Sequence, residues 1–282
     1  MKKICLITGA TDGIGKQTAL ELAHMDYSLA LVGRNSDKGD AVVSELIRET
    51  GNEFIQFHYA DMSSMKSVKE LANEIQRSYD TIDILLNNAG AYFSQFKLTD
   101  DGFETTIALN HFAYFYFTEL ILDMLKVDSG GRVINIASAA HKKAKLELND
   151  LQMKNEYKGW TAYMRSKLMN IMFTYECHHR FSDSGVTFNC LHPGFVDSSF
   201  GNNNLGFAKK SINIAKTLFA IDVVKGARTS VYLSSSDDVA GISGKYFYKC
   251  KAVQSSKVSY IEEDQKKLWD ATEELINSLQ IN

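Results

Sequence analysis

Apolar runs of strand length alternate with amphipathic segments of helix length along almost the whole chain. Strands are predicted at residues 4–7, 28–33, 54–60, 83–86, 132–137 and 245–248. Helices are predicted at residues 14–25, 37–50, 64–78, 102–126, 163–181, 222–234 and 262–277. Because parallel strands need a long crossover between them, this alternation is typical of an α/β protein. The pattern predicts a doubly wound parallel sheet with helices on both faces.

Size and charge narrow the class of protein further. The chain has 282 residues without a repeat, a low-complexity tract or a linker, so we expect a single domain over residues 1–282. A formal net charge of −3 gives no reason to expect nucleic acid as a partner. The N-terminal residues run straight into a strand with no signal peptide, and no transmembrane segment is expected, which predicts a cytoplasmic protein. The four cysteines are scattered without C-x-x-C spacing, so no metal site is expected.

A glycine-rich turn, residues 8–15 (TGATDGIG), directly follows the first strand and opens the first helix. Glycine permits a sharp turn and close approach of a pyrophosphate, and the amides at a helix N-terminus favour phosphate. The turn therefore predicts a Rossmann-type dinucleotide site, although the spacing differs from G-x-G-x-x-G and a ligand-free βα turn is the alternative. The predicted cofactor contacts from this turn are Gly9, Thr11, Asp12, Gly13, Ile14 and Gly15.

The residues after the second strand bear on the choice of cofactor. Arg34 and Asn35 stand where a doubly wound sheet meets the adenosine ribose, and an arginine there suits a 2′-phosphate. This favours NADP(H) over NAD(H). Lys16 and Lys38 either add charge near that phosphate or are ordinary surface lysines, whereas Asp12 acts mildly against it.

Polar residues also follow the third and fourth strands. Asp61 and Met62 come after the third strand, where a carboxylate either accepts from the adenine amino group or caps the next helix. Residues 87–90 (NNAG) follow the fourth strand, and their amides can hold strand ends together beside a flat cofactor. The cofactor contacts expected here are Asp61, Met62, Asn88, Ala89 and Gly90. The aromatic segment 92–96 that comes next either packs under its loop or forms a wall of a substrate pocket.

The later half of the chain carries groups suited to proton transfer. Tyr163 and Lys167 are four residues apart, so they lie on one face of a helix, and the ammonium is expected to lower the pKa of the phenol. Ser138, at the end of the fifth strand, can donate a hydrogen bond to a substrate oxygen. Asn110 is a poor residue for a helix interior unless its amide is used. Together these groups suit the interconversion of an alcohol and a carbonyl.

The combination of residues 8–15, residues 87–90, Ser138, Tyr163, Lys167 and Pro193-Gly194 resembles the short-chain dehydrogenase/reductase family. Residues 137–141 (ASAAH), 149–151 (NDL) and 192–194 (HPG) are similar to its retinol dehydrogenase branch, which also holds the WW-domain oxidoreductase. The resemblance implies that the catalytic residues are Asn110, Ser138, Tyr163 and Lys167. It also implies that Tyr163, Lys167, Pro193, Gly194 and Val196 contact the cofactor, with Lys167 on the nicotinamide ribose and Asn110 holding a water.

The same resemblance implies a homodimer or homotetramer paired through two long helices. The aromatic run at residues 112–117 is expected to belong either to the core or to such a subunit interface. The aromatic segments favour a bulky apolar carbonyl or alcohol as substrate, such as a retinoid-like, steroid-like or lipid aldehyde. Residues 194–220 are interpreted either as a substrate lid or as a loop docked on the core. A non-catalytic NADP(H)-binding redox sensor on the same fold is the competing hypothesis, and a lyase or epimerase is a third.

Overall fold

The computed structural model describes residues 2–125, 130–194 and 222–279. In these ranges eight strands form one sheet in the order β3-β2-β1-β4-β5-β6-β7-β8. The strands are β1 Ile4–Thr8, β2 Ser28–Gly33, β3 Ile55–Tyr59, β4 Ile84–Asn87, β5 Arg132–Ile136, β6 Thr187–Leu191, β7 Lys245–Tyr248 and β8 Lys251–Val253. All neighbouring pairs are parallel except β7 and β8. The single-domain, Rossmann-like α/β fold is therefore confirmed.

Seven longer helices flank the sheet in the described ranges. They are α1 Gly13–His24, α2 Ser36–Thr50, α3 Met65–Ser78, α4 Ala113–Ile121, α5 Gly159–Arg180, α6 Val223–Ser235 and α7 Glu262–Asn277. One apolar cluster joins one face of the sheet to α3, α4, α5 and α7. A second cluster joins the other face to α1, α2 and α6. The core is thus formed by two helical layers with the sheet between them.

The long helix predicted at about residues 102–126 starts later than expected and is not a single regular α-helix. Gly102 has a φ of 78°, and the helical path starts only after Glu104, whose carboxylate accepts hydrogen bonds from the amides of Thr106 and Ile107 at 2.8 Å each. A helical turn at Thr105–Ile107, a π-helix at Ala108–Phe112 and α4 then follow one another, and the 3₁₀ turn Leu122–Leu125 ends the element. The glycine and the buried acidic cap set a later start than the apolar pattern predicts.

The aromatic run at residues 112–117 lies inside this chain and not on its surface. Phe112, Tyr114, Phe115 and Phe117 are almost wholly buried. α7 packs on the same part of the protein: the ring of Trp269 lies 4.7 Å from that of Phe115, centroid to centroid. Of the two alternatives for this run, the structure therefore supports the core: these side chains pack inside the chain and under α7, so they are not available for a subunit interface.

The predictions for the second half of the chain agree with the structure in part. The C-terminal helix at residues 262–277 is confirmed by α7. α5 begins at Gly159, one turn before the predicted start at Tyr163. The predicted lid at residues 194–220 lies, apart from Gly194, outside the described residues, as does Val196. Across the described ranges no helix has the length and apolar character needed to cross a bilayer.

Candidate active site

A cleft of about 490 Å³ opens at the carboxyl ends of the central strands. It lies where the strand order reverses between β1 and β4, which is the usual ligand position in open α/β sheets. It brings together most of the predicted cofactor residues, namely Gly9, Thr11, Asp12, Gly13, Ile14, Arg34, Asn35, Asp61, Met62, Asn88, Ala89, Gly90, Tyr163, Lys167, Pro193 and Gly194. Ser138 lines the same cleft. The predicted cofactor and proton-transfer groups thus share one site.

The glycine turn forms one end of this cleft. Gly9 has a φ of 66°, a conformation that side chains with a Cβ rarely adopt. Gly15 does not line the cleft: a Cβ there would lie 2.4 Å from the Gly9 carbonyl oxygen and 2.5 Å from Asn88 Nδ2. The carboxylate of Asp12 accepts a hydrogen bond from the Gly13 amide at 2.7 Å and caps α1. Gly15 is therefore required for packing beneath the turn, and Gly13 and Ile14 face the cleft at the start of α1.

The segment after β4 is joined to the end of β1. Asn88 Nδ2 donates to the carbonyl oxygens of Thr8 and Gly9 at 2.9 and 3.0 Å. Thr8 Oγ1 in turn accepts hydrogen bonds from the amides of Asn88 and Ala89 at 2.9 and 3.0 Å. The prediction that amides here hold strand ends together is confirmed for Asn88. The two sides of the cleft floor are thereby fixed relative to each other.

Two cationic side chains lie at the end of β2. Arg34 and Lys38 both line the cleft, and Lys38 Nζ forms an ion pair with Asp12 Oδ2 at 2.8 Å. Lys16 does not line the cleft and pairs with Glu45 at 2.7 Å. The structure thus separates the two lysines: Lys38 contributes positive charge to the site and partly offsets Asp12, whereas Lys16 belongs to the surface between α1 and α2.

Asp61 faces the cleft and does not cap the following helix. Its Oδ1 accepts hydrogen bonds from the amide and the hydroxyl of Ser63 at 2.9 and 2.7 Å. The N-cap of α3 is Ser64. The structure therefore excludes the helix cap as the role of this carboxylate and places it where it can contact a cofactor.

Ser138, Tyr163 and Lys167 meet at the other end of the cleft. Tyr163 and Lys167 are one turn apart on α5, and Lys167 Nζ lies 5.9 Å from the centroid of the phenol ring. The hydroxyls of Ser138 and Tyr163 are hydrogen-bonded. Lys167 Nζ donates to the carbonyl oxygen of Ile136, the last residue of β5, at 3.0 Å. The sheet and α5 together fix the ammonium beside the phenol.

Burial controls the protonation of both groups. Desolvation raises the pKa of Tyr163 to about 12, and the hydrogen bond with Ser138 opposes this rise. Desolvation also lowers the pKa of Lys167 to about 7. The predicted lowering of the pKa of the phenol is therefore not found: loss of hydration raises it, and Lys167, whose own pKa burial lowers, does not offset the rise.

Asn110 lies in the π-helix, behind the wall of the cleft. Its Oδ1 accepts from the Ala91 amide, and its Nδ2 donates to the Ala91 carbonyl, both at 2.9 Å. Nδ2 also donates to Ser166 Oγ at 3.0 Å. The expectation that a helix-interior asparagine has its amide in use is confirmed. A Cβ on Gly90 would lie 3.1 Å from Asn110 Oδ1 and 3.2 Å from Lys167 Nζ, so both side chains lie beside Gly90.

A buried polar chain leads from Lys167 to α7, and sequence reasoning missed it. Asn170 Nδ2 donates to the Ile136 carbonyl at 3.3 Å, the same oxygen that Lys167 contacts. Burial lowers the pKa of His111 to about 4, so its neutral ring pairs Nδ1 with Asn170 Oδ1 at 3.2 Å and Nε2 with Thr272 Oγ1 at 3.3 Å. The signal was the spacing of Asn170, three residues after Lys167, and the position of His111 beside Asn110.

An aromatic wall also borders the tyrosine. The ring of Trp160 is 49% exposed, lines the cleft and stacks on Tyr163 with centroids 5.4 Å apart. Tyr92 contacts both rings edge-on, at 5.9 Å from Trp160 and 6.4 Å from Tyr163. Phe96 instead packs on Tyr157. The aromatic segment 92–96 is therefore divided: Tyr92 belongs to the wall of the site, and Phe96 packs away from it. Trp160 was not predicted from the sequence.

Residues 3–206 match the family model for short chain dehydrogenases. Human retinol dehydrogenase 13 is 34% identical over 279 residues, which cover 97% of this chain and 84% of that protein. Mouse retinol dehydrogenase 12 is 34% identical over 274 residues, covering 97% of this chain and 86% of that protein. Human polyprenol dehydrogenase is 32% identical over 286 residues, covering 99% of this chain and 86% of that protein.

Solved structures give the same assignment of the fold. An uncharacterised protein from Mycobacterium paratuberculosis superposes with a TM-score of 0.78 at 27% identity, covering 98% of this chain and 93% of that chain. An alcohol dehydrogenase from Thermococcus sibiricus, complexed with 5-hydroxy-NADP, superposes with a TM-score of 0.64 at 25% identity, covering 83% of this chain and 90% of that chain.

Proposed function

Because the chain belongs to the short-chain dehydrogenase family of alcohol and carbonyl oxidoreductases, we propose that it interconverts an alcohol and an aldehyde or ketone with NADP(H) and with Tyr163 as proton donor or acceptor. The observation that carries this proposal is the convergence of Ser138, Tyr163 and Lys167 at the end of a cleft that starts at the glycine turn. The site fits a dinucleotide, since a turn with Gly9 in the left-handed region and the N-terminus of α1 border it.

Three residues at the end of the cleft have separate roles in the proposed proton transfer. When bound, the nicotinamide supplies the hydride in reduction or accepts it in oxidation. Tyr163 holds its proton at neutral pH, because its pKa is about 12, and can pass it to a carbonyl oxygen. The Ser138 hydroxyl is hydrogen-bonded to Tyr163, and its Oγ accepts from the Ala140 amide at 3.2 Å. When substrate binds, the Ser138 O–H can instead donate to the substrate oxygen and stabilise its developing charge. Lys167, when protonated, stabilises the phenolate that remains.

Two features support NADP(H) in preference to NAD(H). Arg34 and Lys38 line the cleft at the end of β2, where positive charge attracts a 2′-phosphate. The similar alcohol dehydrogenase from Thermococcus sibiricus is complexed with an NADP derivative.

Arg34→Ala is expected to weaken NADPH binding by about 10–100-fold, because a charge-assisted hydrogen bond contributes about 1.5–3 kcal/mol. NADH binding is expected to change less than about threefold, since NADH lacks the 2′-phosphate. Fluorescence titration of both nucleotides measures the two affinities. Arg48→Ala is the matched control, because Arg48 is exposed on α2 and does not line the cleft. Equal losses for NADPH and NADH in Arg34→Ala would contradict the assigned role.

The substrate proposed is apolar and bulky. The half-exposed Trp160 ring, stacked on Tyr163, offers an apolar surface directly beside the proton donor. Similar proteins are named for retinol and for polyprenol, which are long apolar alcohols. Retinaldehyde, long-chain aliphatic aldehydes and steroid ketones are therefore the first probes to use.

The experiment that tests catalysis compares wild type with Tyr163→Phe on that panel, following NADPH oxidation. Loss of a general acid is expected to lower turnover by at least about 100-fold while the NADPH affinity stays within about threefold. Tyr59→Phe is the matched control, since Tyr59 is exposed and does not line the cleft. Full turnover in Tyr163→Phe would refute the role of the phenol. NADPH binding without turnover of any carbonyl by wild type would favour the redox-sensor hypothesis.

A further inference from the structure

His141 lies three residues after Ser138 and is fully buried. It belongs to the 3₁₀ turn Ala139–Lys143, for which Ser138 is the N-cap. Its ring Nδ1 is 2.6 Å from the carbonyl oxygen of Ser138. Its Nε2 is 3.0 Å from the backbone nitrogen of Ser256, which lies 115 residues later in the chain.

These two partners define the proton on the ring. The Ser138 carbonyl can only accept, so Nδ1 must carry a hydrogen. The Ser256 amide can only donate, so Nε2 must present a lone pair. His141 is therefore a neutral imidazole in a single tautomer, and burial agrees with this because it lowers the pKa of His141. In this tautomer Nδ1 can only donate and Nε2 can only accept, so the two hydrogen bonds cannot be exchanged between the nitrogens.

The ring adds a third anchor to Ser138. The Ser138 carbonyl also accepts from the backbone amide of His141 at 3.1 Å, and its Oγ accepts from the Ala140 amide. The His141 ring is held edge-on to Tyr246 of β7, with centroids 5.0 Å apart. The ring thus adds a short side-chain hydrogen bond of 2.6 Å to the backbone bond that the Ser138 carbonyl already accepts.

We propose that His141 is a positioning residue for Ser138, and that it sets the direction of the Ser138 hydroxyl toward the substrate oxygen by holding the Ser138 carbonyl through the hydrogen bond from its Nδ1. The inference rests on the proposed function, because Ser138 matters only if it supports a carbonyl reaction. Both ring nitrogens of His141 are bonded to backbone groups, Nδ1 to the Ser138 carbonyl and Nε2 to the Ser256 amide. The proposed effect of His141 on the substrate is therefore indirect and passes through Ser138.

The two ring nitrogens can be tested separately. Asparagine places an amide where Nδ1 stands, so His141→Asn keeps the bond to Ser138 and loses the bond to Ser256. Glutamine reaches the position of Nε2, so His141→Gln keeps the bond to Ser256 and loses the bond to Ser138. If His141 positions Ser138, the asparagine variant is expected to keep most of its activity and the glutamine variant to lose it. A structural role in holding the C-terminal segment predicts the reverse order.

The activity measurement uses the carbonyl that wild type reduces best. His141→Gln is expected to lower kcat by about 10–100-fold, since loss of a well-placed oxyanion donor costs up to about 10³-fold. His141→Asn is expected to stay within about threefold of wild type. NADPH affinity and Tm are measured in parallel, and both are expected to be similar in the two variants. Equal kcat in the two variants, or kcat that follows Tm, would overturn the proposal.

Hydrogen exchange gives a second test that needs no turnover. The amides of Ala140 and His141 donate to Ser138, so His141→Gln is expected to speed their exchange while the amides of residues 255–260 stay protected. His141→Asn is expected to show the opposite pattern. If both segments lose protection together in both variants, the ring does not hold Ser138 separately and the inference fails. Absence of turnover in wild type would count against the proposed function alone.

Discussion

The side chains of Tyr163 and Lys167 show how burial sets the state of the site before any ligand binds. Both are almost fully buried, and water is lost from around both. Desolvation disfavours charge, so it raises the pKa of the phenol to about 12 and lowers that of the amine to about 7. Near neutral pH the protein therefore holds a protonated phenol beside a lysine that is close to its own pKa.

This state makes Lys167 a source of pH-dependent instability. Below pH 7 the lysine is protonated in the folded and unfolded chains, and the folded protein bears the full cost of the buried charge. Between pH 7 and about 10.4 the unfolded chain still holds the proton and the folded one does not, so the cost falls by about 1.4 kcal/mol per pH unit.

At pH 6, Lys167→Met is expected to have a free energy of unfolding a few kcal/mol higher than that of wild type, and so to unfold at a higher urea concentration. That advantage is expected to shrink between pH 7 and pH 9, because wild type recovers stability there. Urea denaturation at pH 6, 7.5 and 9 measures it. Lys225→Met, at an exposed lysine, is the control and is expected to show no such trend. A stability difference independent of pH would mean that the pKa of Lys167 is not lowered.

At this scale, the sequence predicted the type of most groups that line the cleft. Arg34, Asp61 and Ser138 follow strands, and parallel strands bring their carboxyl ends to one edge. The pKa direction of Tyr163 was not predictable, because it depends on how completely α5 is covered. Trp160 was also missed, and His141 was noted only as part of the motif at residues 137–141. The stacking of Trp160 and the hydrogen bond that His141 makes across 115 residues leave no local pattern.

The helical elements show where local pattern and tertiary structure disagree. Strongly amphipathic segments such as α2, α3 and α7 lie within one residue of their predicted bounds. The segment around Asn110 is apolar on all sides, so its periodicity does not reveal the π-helix that turns the asparagine toward Ala91. β6 and β8 were not predicted: β6 is interrupted by the polar Asn189, and β8 is a short exposed strand that forms by pairing with β7.

The two tryptophans of the chain lie on α5 and α7 and are expected to behave in opposite ways. Trp269 is buried, stacks on Phe173 and lies under Arg180, so Trp269→Ala is expected to cost about 3–5 kcal/mol of stability. Trp160 is half exposed, so Trp160→Ala is expected to change stability by less than about 1 kcal/mol.

Substrate kinetics complete this comparison. Trp160→Ala is expected to raise KM for a long apolar aldehyde by about tenfold and to leave a short aldehyde nearly unchanged, since about 1–3 kcal/mol of apolar contact is lost. Urea denaturation and steady-state kinetics on both variants measure the pair. The assignment of α7 to the core and of Trp160 to substrate binding fails if the two variants show the same profile.

On the scale of the whole molecule, α7 changes the surroundings of the site. α5 carries Tyr163 and Lys167, and most of its residues from Ala162 to Cys177 are buried, because the sheet, α4 and α7 surround it. The chain from Lys167 through Asn170 and His111 ends on Thr272 of α7. The C-terminal helix is thus part of the support of Lys167.

The packing of α7 over α4 and α5 also limits which surfaces can form an oligomer interface. A homodimer or homotetramer stays a prediction, but the aromatic run at residues 112–117 is not available to form it. The cytoplasmic location also stays a prediction. The doubly wound, mostly parallel sheet was predictable from the alternation of strands and helices. The packing of α7 over α5 was not, since it joins segments about a hundred residues apart.

The reaction that we propose for this cleft is hydride transfer from NADPH to a carbonyl carbon, with the proton supplied by Tyr163. The most direct measurement uses NADPH with deuterium at both C4 positions and mass spectrometry of the alcohol formed from a long-chain aldehyde. We expect wild type to form alcohol with one deuterium on the former carbonyl carbon, and Tyr163→Phe to form it at least about 100-fold more slowly. Alcohol without deuterium, no alcohol from wild type, or equal rates in the two proteins would contradict the claim.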